Sequence, residues 1–539
     1  MQQVKVFFLS VVLIICFSCN QNEKEENITG KIEQRDTTIN VSNSFTELFF
    51  DSTSLENYIE RYNIRDSTAN RLRSFYNARN YQYAWFSNDG PAEQVYNFLN
   101  LQNEYVSYTR DSSLVNPILQ QVFDTLENGG HAIPLADSNR LKAELTLTRQ
   151  FFRYAAKEYT GSYGLNTNDL KWYIPRKKID LIATLDSLIQ HKGERTKSYE
   201  PINPYYKHLK EALIKYYAIE KNGGWEPIQT TKKKFQKGDT SVAITDIKRR
   251  LFLTGDFTMP DSSTLFTDTL VDAVKKFQYR YGLKADGIIA GATLQEMNQP
   301  IGKRIKQMLI NLERMRWVPE EIKTDYLLVN IPEFKLHIFE EGRLKFNMNV
   351  VVGSGQHNTV IFSGDLKYVV FSPYWNVPPS IVRNEILPGI KKNKNYLANH
   401  NMEITGNTGG LPNVRQKPGA NNSLGRVKFL FPNNYNIYMH DTPAKSLFGE
   451  SKRAFSHGCI RLGEPKKLAE FLLRDDSTWT SEKITAAMKS GKERYVTLKK
   501  TVPVFIGYFT AWVDSKGELN FRDDVYGHDA KLEKQMFNK

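Results

Sequence analysis

The chain has 539 residues, enough for three or four domains, and carries 73 Lys and Arg against 59 Asp and Glu, a net charge of +14. Such a balance fits nucleic acid, anionic lipid or an acidic polymer as partner, but the lysines are scattered and much of the charge reads as solvated surface. With three cysteines, two of them near the N-terminus at Cys16 and Cys19, a disulfide framework and a Cys-rich zinc site are both excluded.

Residues 1–19 read as an export signal. Lys5 is the positive flank, residues 6–15 are almost unbroken apolar, and the run is too short to span a bilayer. Small Ser18 precedes Cys19, whereas bulky Ile15 precedes Cys16, so Cys19 is the expected lipidated residue of a relaxed lipoprotein box; an ordinary cleaved signal peptide is the alternative. Export argues against nucleic acid as the partner. The polar run that follows reads as a tether, over residues 20–43. No internal stretch is long and apolar enough for a transmembrane helix.

Residues 44–232 read as a mainly helical scaffold. Apolar and aromatic residues recur at helical spacing over 54–62, 68–76 and 141–159, where Leu145, Phe152 and Tyr159 share a face. The basic run before Gly238 marks a boundary. A small three-helix domain is expected over 233–299, with one stripe at Ile244, Ile247 and Leu251 and a second at Leu270, Val274, Phe277 and Tyr281. Gly282 is its plausible C-terminal cap, Asp286-Gly287 a turn, and residues 293–297 a third short helix. A connecting helix takes 300–322. Strand signals begin next: Phe334, Leu336 and Ile338 alternate with polar residues, Glu341-Gly342 turns, and Leu344, Phe346, Met348, Val350 and Val352 alternate again, which predicts a β-hairpin. Further strands are expected at 368–371 and 437–439. The fold class is therefore multidomain α+β, with a mainly β domain over 323–500 and a closing segment over 501–539 that packs on the scaffold.

The chemistry concentrates in Phe455-Ser456-His457-Gly458-Cys459-Ile460-Arg461-Leu462. If Cys16 is removed and Cys19 carries lipid, Cys459 has no partner, and an unpaired thiol in an exported protein is a candidate nucleophile. The thiolate is the attacking species and a histidine can take its proton. His440, nineteen residues upstream, shares a predicted strand face with Tyr438. Gly458 lets a substrate carbonyl approach the backbone. The competing reading of Cys459 is an inert core thiol, and of His440 a structural histidine.

Met439-His440-Asp441-Thr442-Pro443 followed by Ser456-His457-Gly458-Cys459-Ile460-Arg461 resembles the signature of the L,D-transpeptidase (YkuD-type) catalytic domain. Ser372-Pro373-Tyr374-Trp375-Asn376-Val377-Pro378-Pro379, Arg415-Gln416-Lys417-Pro418-Gly419, Leu424-Gly425-Arg426-Val427-Lys428-Phe429 and Phe431-Pro432-Asn433 resemble its large periplasmic, YcbB-like branch. Lys237-Gly238-Asp239 and the helical stripes after it look like a peptidoglycan-binding domain, or a helical spacer that binds nothing.

The resemblance implies Cys459 as nucleophile, His440 as base, the Asp441 carbonyl as its orienter with no triad role for the carboxylate, and His457 shaping an oxyanion site with the Gly458 and Cys459 backbone. It implies Trp375 and Tyr438 as donor-cleft residues, Ser456 and Arg461 as further substrate-binding residues, and a mobile lid over about 385–430. The implied reaction forms 3→3 peptidoglycan cross-links through a thioester and releases D-alanine from tetrapeptide stems, without metal or organic cofactor. Peptidoglycan stem peptides and glycan, a membrane through the lipid anchor, and carbapenem-type inhibitors are the implied partners, on the periplasmic side of the cell envelope. A peptidoglycan-binding scaffold with L,D-carboxypeptidase or vestigial activity is the alternative.

Overall fold

The computed structural model describes residues 32–64, 67–121, 137–162, 164–193, 204–319 and 322–537. The expected signal, Cys19 and the first part of the tether lie outside them. Two compact units divide the chain: residues 1–98, 116–152 and 188–193 form one, and residues 99–115, 153–187 and 194–539 the other.

In the first unit, helices α1 (Ser52–Arg61) and α2 (Ser67–Asn77) bury Leu55, Tyr58, Ile59, Leu72, Phe75 and Tyr76. Strands β1 (Phe86–Ser87) and β2 (Gly90–Pro91) form a short antiparallel pair. Buried Glu144 accepts hydrogen bonds from Ala84 N (2.6 Å), Trp85 N (3.0 Å) and the Tyr76 hydroxyl (2.9 Å). Burial outweighs these donors and lifts its pKa to about 7. The folded part starts earlier than the expected boundary at 44. Asp36 N donates to Asn77 O (3.0 Å), and Asn77 Nδ2 and Asn80 Nδ2 donate to the carbonyls of Glu33 (2.8 Å) and Ile39 (2.7 Å). A polar composition looked like tether, but these residues satisfy the open carbonyl end of α2.

The second unit holds the rest. Helix α3 (Glu93–Thr109) ends in it, and α4 (Asp137–Ala155) continues into a π-turn, Ala156–Thr160. After α5 (Leu181–Gln190) come α6 (Pro204–Lys221), the three helices α7 (Ala243–Leu253), α8 (Asp268–Arg280) and α9 (Gly291–Met297), and the connecting helix α10 (Ile301–Trp317). Buried Arg316 of α10 meets Glu313 (3.0 Å), Glu158 (3.4 Å) and Tyr206 of α6 (2.7 Å). The three-helix domain is fastened to its surroundings: Arg522 Nη1 donates to Arg280 O (2.6 Å), Trp225 Nε1 to Gln299 O (2.9 Å), and the Arg250 guanidinium stacks 3.4 Å from the Trp225 ring centre.

The mainly β domain follows from period-two burial. In β3 (Tyr326–Asn330), Leu327 and Val329 face inward; in β4 (Lys335–Glu340), Leu336 and Ile338 do. The turn to β5 (Arg343–Gly353) has positive φ at Glu341 (48°) and Gly342 (78°), the primed geometry that suits a two-residue hairpin. With β6 (Ser363–Phe371), β10 (Val427–Leu430), β11 (Met439–His440), β12 (Ala454–Ser456), β13 (Ile460–Leu462) and β14 (Arg494–Gly507), nine strands among the described residues run in the order β12-β5-β13-β11-β10-β6-β14-β3-β4. The β4–β5 pairing closes this order on itself. Helices α11 (Pro465–Leu472) and α12 (Ser481–Lys489) cover its core through Leu468, Ala469, Phe471 and Ile484.

Two expected boundaries shift. The insertion expected as a lid over about 385–430 is a subdomain with its own sheet over residues 375–422. Strands β7 (Trp375–Asn376), β8 (Met402–Thr408) and β9 (Leu411–Gln416) form its sheet, over a small core of Val377, Ile381, Val382, Ile386 and Val414. Val427–Leu430 belongs instead to the main sheet as β10. The closing segment starts later than 501, because β14 pairs with β3 and β6 up to Gly507. Beyond it, β15 (Ala511–Val513), β16 (Leu519–Phe521) and α13 (His528–Phe537) pack along α6 and α10, with Thr510 tied to Asn311 and Asp529.

Candidate active site

Parallel strands β11 and β13 lie side by side in the sheet, with His440 in register with Arg461 and Met439 with Ile460. Cys459 stands immediately before β13, and Ile460 N donates to Tyr438 O (3.1 Å). The sheet thus brings Tyr438, His440, Cys459 and Arg461 together.

His440 is buried, and its Nδ1 lies 2.5 Å from the Asp441 carbonyl oxygen. An Nδ1–H donated there leaves Nε2 as the basic nitrogen. Burial first, then the Arg461 charge, pull its pKa down to about 4. At neutral pH the imidazole is therefore neutral and able to accept a proton. The Asp441 carboxylate is occupied elsewhere: it accepts from Arg426 N (2.8 Å), Thr442 N (2.7 Å) and Lys445 Nζ (2.6 Å). It braces the turn after β11, packed so closely on Gly425 that a Cβ there would lie 2.4 Å from it.

Burial pushes the Cys459 thiol up, against lowering by Tyr438 and Arg461. Its Sγ lies 3.6 Å from the Asn436 carbonyl, to which the S–H donates. Asn436 has φ +55°, a left-handed position asparagine tolerates better than most residues. The Asn433 side chain shapes the turn, donating to the Phe431 (2.6 Å) and Ile437 (2.7 Å) carbonyls and accepting from Tyr435 N (2.9 Å). The Tyr438 hydroxyl interacts with both the Cys459 thiol and Trp375 of β7, so the insertion reaches the thiol.

The thiol loop is locked by hydroxyls. Ser456 Oγ donates to Cys459 O (2.5 Å) and accepts from Gly458 N (3.2 Å). Thr359 Oγ1 donates to Gly458 O (2.8 Å) and accepts from Gly353 N (2.9 Å). Tyr526 Oη donates to Gly353 O (2.6 Å) and accepts from Thr359 N (3.3 Å). Gly458 has φ +113°, a backbone position that a side chain would strain.

Two expected roles change. Ser456 is buried with its hydroxyl spent inside the loop, so it braces the thiol loop in place of the expected substrate-binding role. The Gly458 N–H is spent on Ser456 (3.2 Å), which takes it out of the expected oxyanion site. His457 is half-exposed, 3.8 Å from Glu385 of the insertion, with its ring 4.9 Å from that of His357. Arg461 is half-buried with an unpaired Nε, and burial lowers its pKa. The sequence assigns no role to Asn436, Thr359 or Tyr526, and names Asn433 only within the Phe431-Pro432-Asn433 motif; the left-handed asparagine in an Asn-rich turn is the one available signal. Among the described residues, no group of three or more His, Cys, Asp or Glu side chains could hold a metal ion.

This geometry sets a thiol and a neutral, buried imidazole on adjacent strands of a closed, mainly β sheet. Residues 324–505 match the family model of the L,D-transpeptidase catalytic domain, 70–213 that of a scaffold domain, and 242–297 that of the "Putative peptidoglycan binding domain". Three stretches of the chain are thus similar to an L,D-transpeptidase catalytic domain, a scaffold domain and a peptidoglycan-binding domain. A protein of Haemophilus influenzae named "Putative L,D-transpeptidase" is 31% identical over 243 residues, 42% of this chain. The match spans 49% of that relative's length, about half. Among solved structures, an L,D-transpeptidase from Stackebrandtia nassauensis is 17% identical, with 52% of this chain and 98% of that one covered at a TM-score of 0.21. L,D-transpeptidase 3 from Mycobacterium tuberculosis, in complex with a faropenem-derived adduct, is 14% identical over 34% of this chain and 60% of that one, at a TM-score of 0.18. At these identities and scores the likenesses carry no argument about this chain's chemistry.

Proposed function

We propose that the protein is an L,D-transpeptidase that forms 3→3 peptidoglycan cross-links. The observation that carries this reading is the Cys459 thiol beside Arg461, with a neutral His440 held by the Asp441 carbonyl on the adjacent strand. Cys459 gives its proton to His440 Nε2 as Sγ attacks the carbonyl of the third stem residue, a diamino acid. The tetrahedral oxyanion faces the Cys459 N–H. On collapse the C–N bond breaks and the imidazolium returns the proton to the departing D-alanine amine. A side-chain amine of a second stem then attacks the thioester, and its proton passes through His440 back to the thiol. Water as acceptor would give an L,D-carboxypeptidase instead.

Arg461 holds a substrate carboxylate, Trp375 and Tyr438 line the donor cleft, and the insertion covers it. The enzyme works on the periplasmic side of the envelope, anchored by lipid on Cys19, and carbapenems acylate Cys459. The test is product analysis by mass spectrometry after incubation with disaccharide-tetrapeptides. Wild type yields a 3→3 dimer and Cys459→Ala yields none; equal product from both overturns the assignment, and tripeptide without dimer replaces it with hydrolysis.

A further inference from the structure

The turn that supplies the thiol's hydrogen-bond acceptor also carries an aromatic side chain outward. Tyr435 directly precedes Asn436, and its ring stacks on that of Tyr173, with centres 5.1 Å apart and planes 23° apart. The two side chains are 38% and 39% exposed. A single exposed aromatic is ordinary; this pair is held in place from three sides. The Phe362 ring lies 4.9 Å from Tyr435. Tyr435 N is bonded to Asn433 Oδ1 (2.9 Å), and Tyr173 N donates to Ile361 O (2.7 Å), next to the fully buried Trp172. Nothing in the acyl-transfer chemistry uses either ring.

We infer that Tyr173 and Tyr435 form a platform for a sugar ring of the muropeptide substrate, a subsite that extends the active site. The inference rests on the transpeptidase reading for its substrate. Asn436 O lies 3.6 Å from Sγ, and Tyr435 is the residue directly before it, with the two Cα atoms about 3.8 Å apart. A donor stem with its third residue at Sγ reaches its sugar after three residues, which span about 10 Å when extended. The stem itself is anionic and polar and offers little to two uncharged rings. A pyranose presents a flat C–H face to stack on an aromatic surface, and hydroxyl and acetamido groups that the phenol edges can meet. Rings fixed before binding lose little entropy when the sugar arrives.

The test compares kcat/KM for a disaccharide-tetrapeptide donor with that for the free tetrapeptide, in wild type, Tyr435→Ala, Tyr173→Ala and Tyr435→Phe. Wild type should favour the disaccharide donor by roughly three- to tenfold, the scale of one aromatic stacking contact. The preference falls to about one in both alanine variants, through KM, and persists in Tyr435→Phe. A preference unchanged by alanine overturns the proposal, as does an equal loss for both donors, which would mean that the rings meet the stem or only hold the turn. If wild type turns over neither donor, the transpeptidase reading fails separately. Binding of the disaccharide to Cys459→Ala, measured by calorimetry with and without Tyr435→Ala, then decides the platform: loss of binding with Tyr435→Ala supports it, and equal binding or none at all overturns it.

Discussion

Thr359→Val removes one hydroxyl and keeps the side-chain shape. The hydroxyl donates to Gly458 O at 2.8 Å and accepts from Gly353 N at 2.9 Å, in a fully buried setting. Valine leaves a buried carbonyl and a buried N–H without partners. At about 1–3 kcal/mol for each unsatisfied group, the native loop loses about 2–6 kcal/mol. The loss falls on the peptide unit that carries the Cys459 N–H, so catalysis suffers as well as stability: a misplacement of about 1 Å at a reacting centre costs on the order of a hundredfold. The Gly353 amide should exchange with deuterium at least about tenfold faster, the thioester should form about ten- to a hundredfold more slowly, and KM for the donor should change little. Thr359→Ser, which keeps the hydroxyl, should restore both rates. A valine variant that exchanges and acylates like wild type would refute this positioning role.

In wild type, kcat/KM for acylation should rise with pH through about 4, where His440 loses its proton, and be flat at neutral pH; an acid limb near 6.5 would contradict a neutral buried base. Arg461→Met removes a cation that holds the His440 pKa down, so the acid limb should move to higher pH in the same assay. His440 and His528 are both buried with pKa values lowered to about 4, against about 6.5 in an unfolded chain. The unfolded state binds protons that the folded state refuses, so stability is intact above about 6.5 and is lost as pH falls toward 4. Each histidine contributes about 3 kcal/mol to that loss, and denaturation of His528→Phe should show a shallower acid slope. Gly425→Ala places a Cβ 2.4 Å from the Asp441 carboxylate at φ +62°, and should lower the thermal midpoint and the acylation rate together; an unchanged midpoint would show that Asp441 can move away freely.

The local signals in the sequence were strong where one period or one motif sufficed. The stripe from Leu270 to Tyr281 became α8, and the alternation around Glu341-Gly342 became the β4–β5 hairpin. His440 and Cys459 stand out in the sequence because their residue types carry chemistry, and the structure adds that β11 and β13 pair side by side. Other features depend on contacts distant in sequence and left no local trace. Thr359 is an ordinary threonine until Gly458, ninety-nine residues on, is placed beside it. Val427–Leu430 looked like part of a lid because Gly, Asn and Pro surround it, yet β6 and β11 pair with it on either side. Residues 33–39 looked like tether because polar residues do not reveal that the end of α2 accepts their backbone. The spent Gly458 N–H is likewise invisible without the Ser456 rotamer.

If Cys459 becomes the acyl carrier, intact-protein mass spectrometry will catch it as a covalent adduct. The protein would be mixed with a disaccharide-tetrapeptide and quenched in acid before an acceptor amine can react. The expected result is a mass increase equal to the donor less D-alanine, a label on the peptide containing Cys459, and no adduct in Cys459→Ser within the same time. An adduct on another residue, or dimer formed by the serine variant at the wild-type rate, would contradict it.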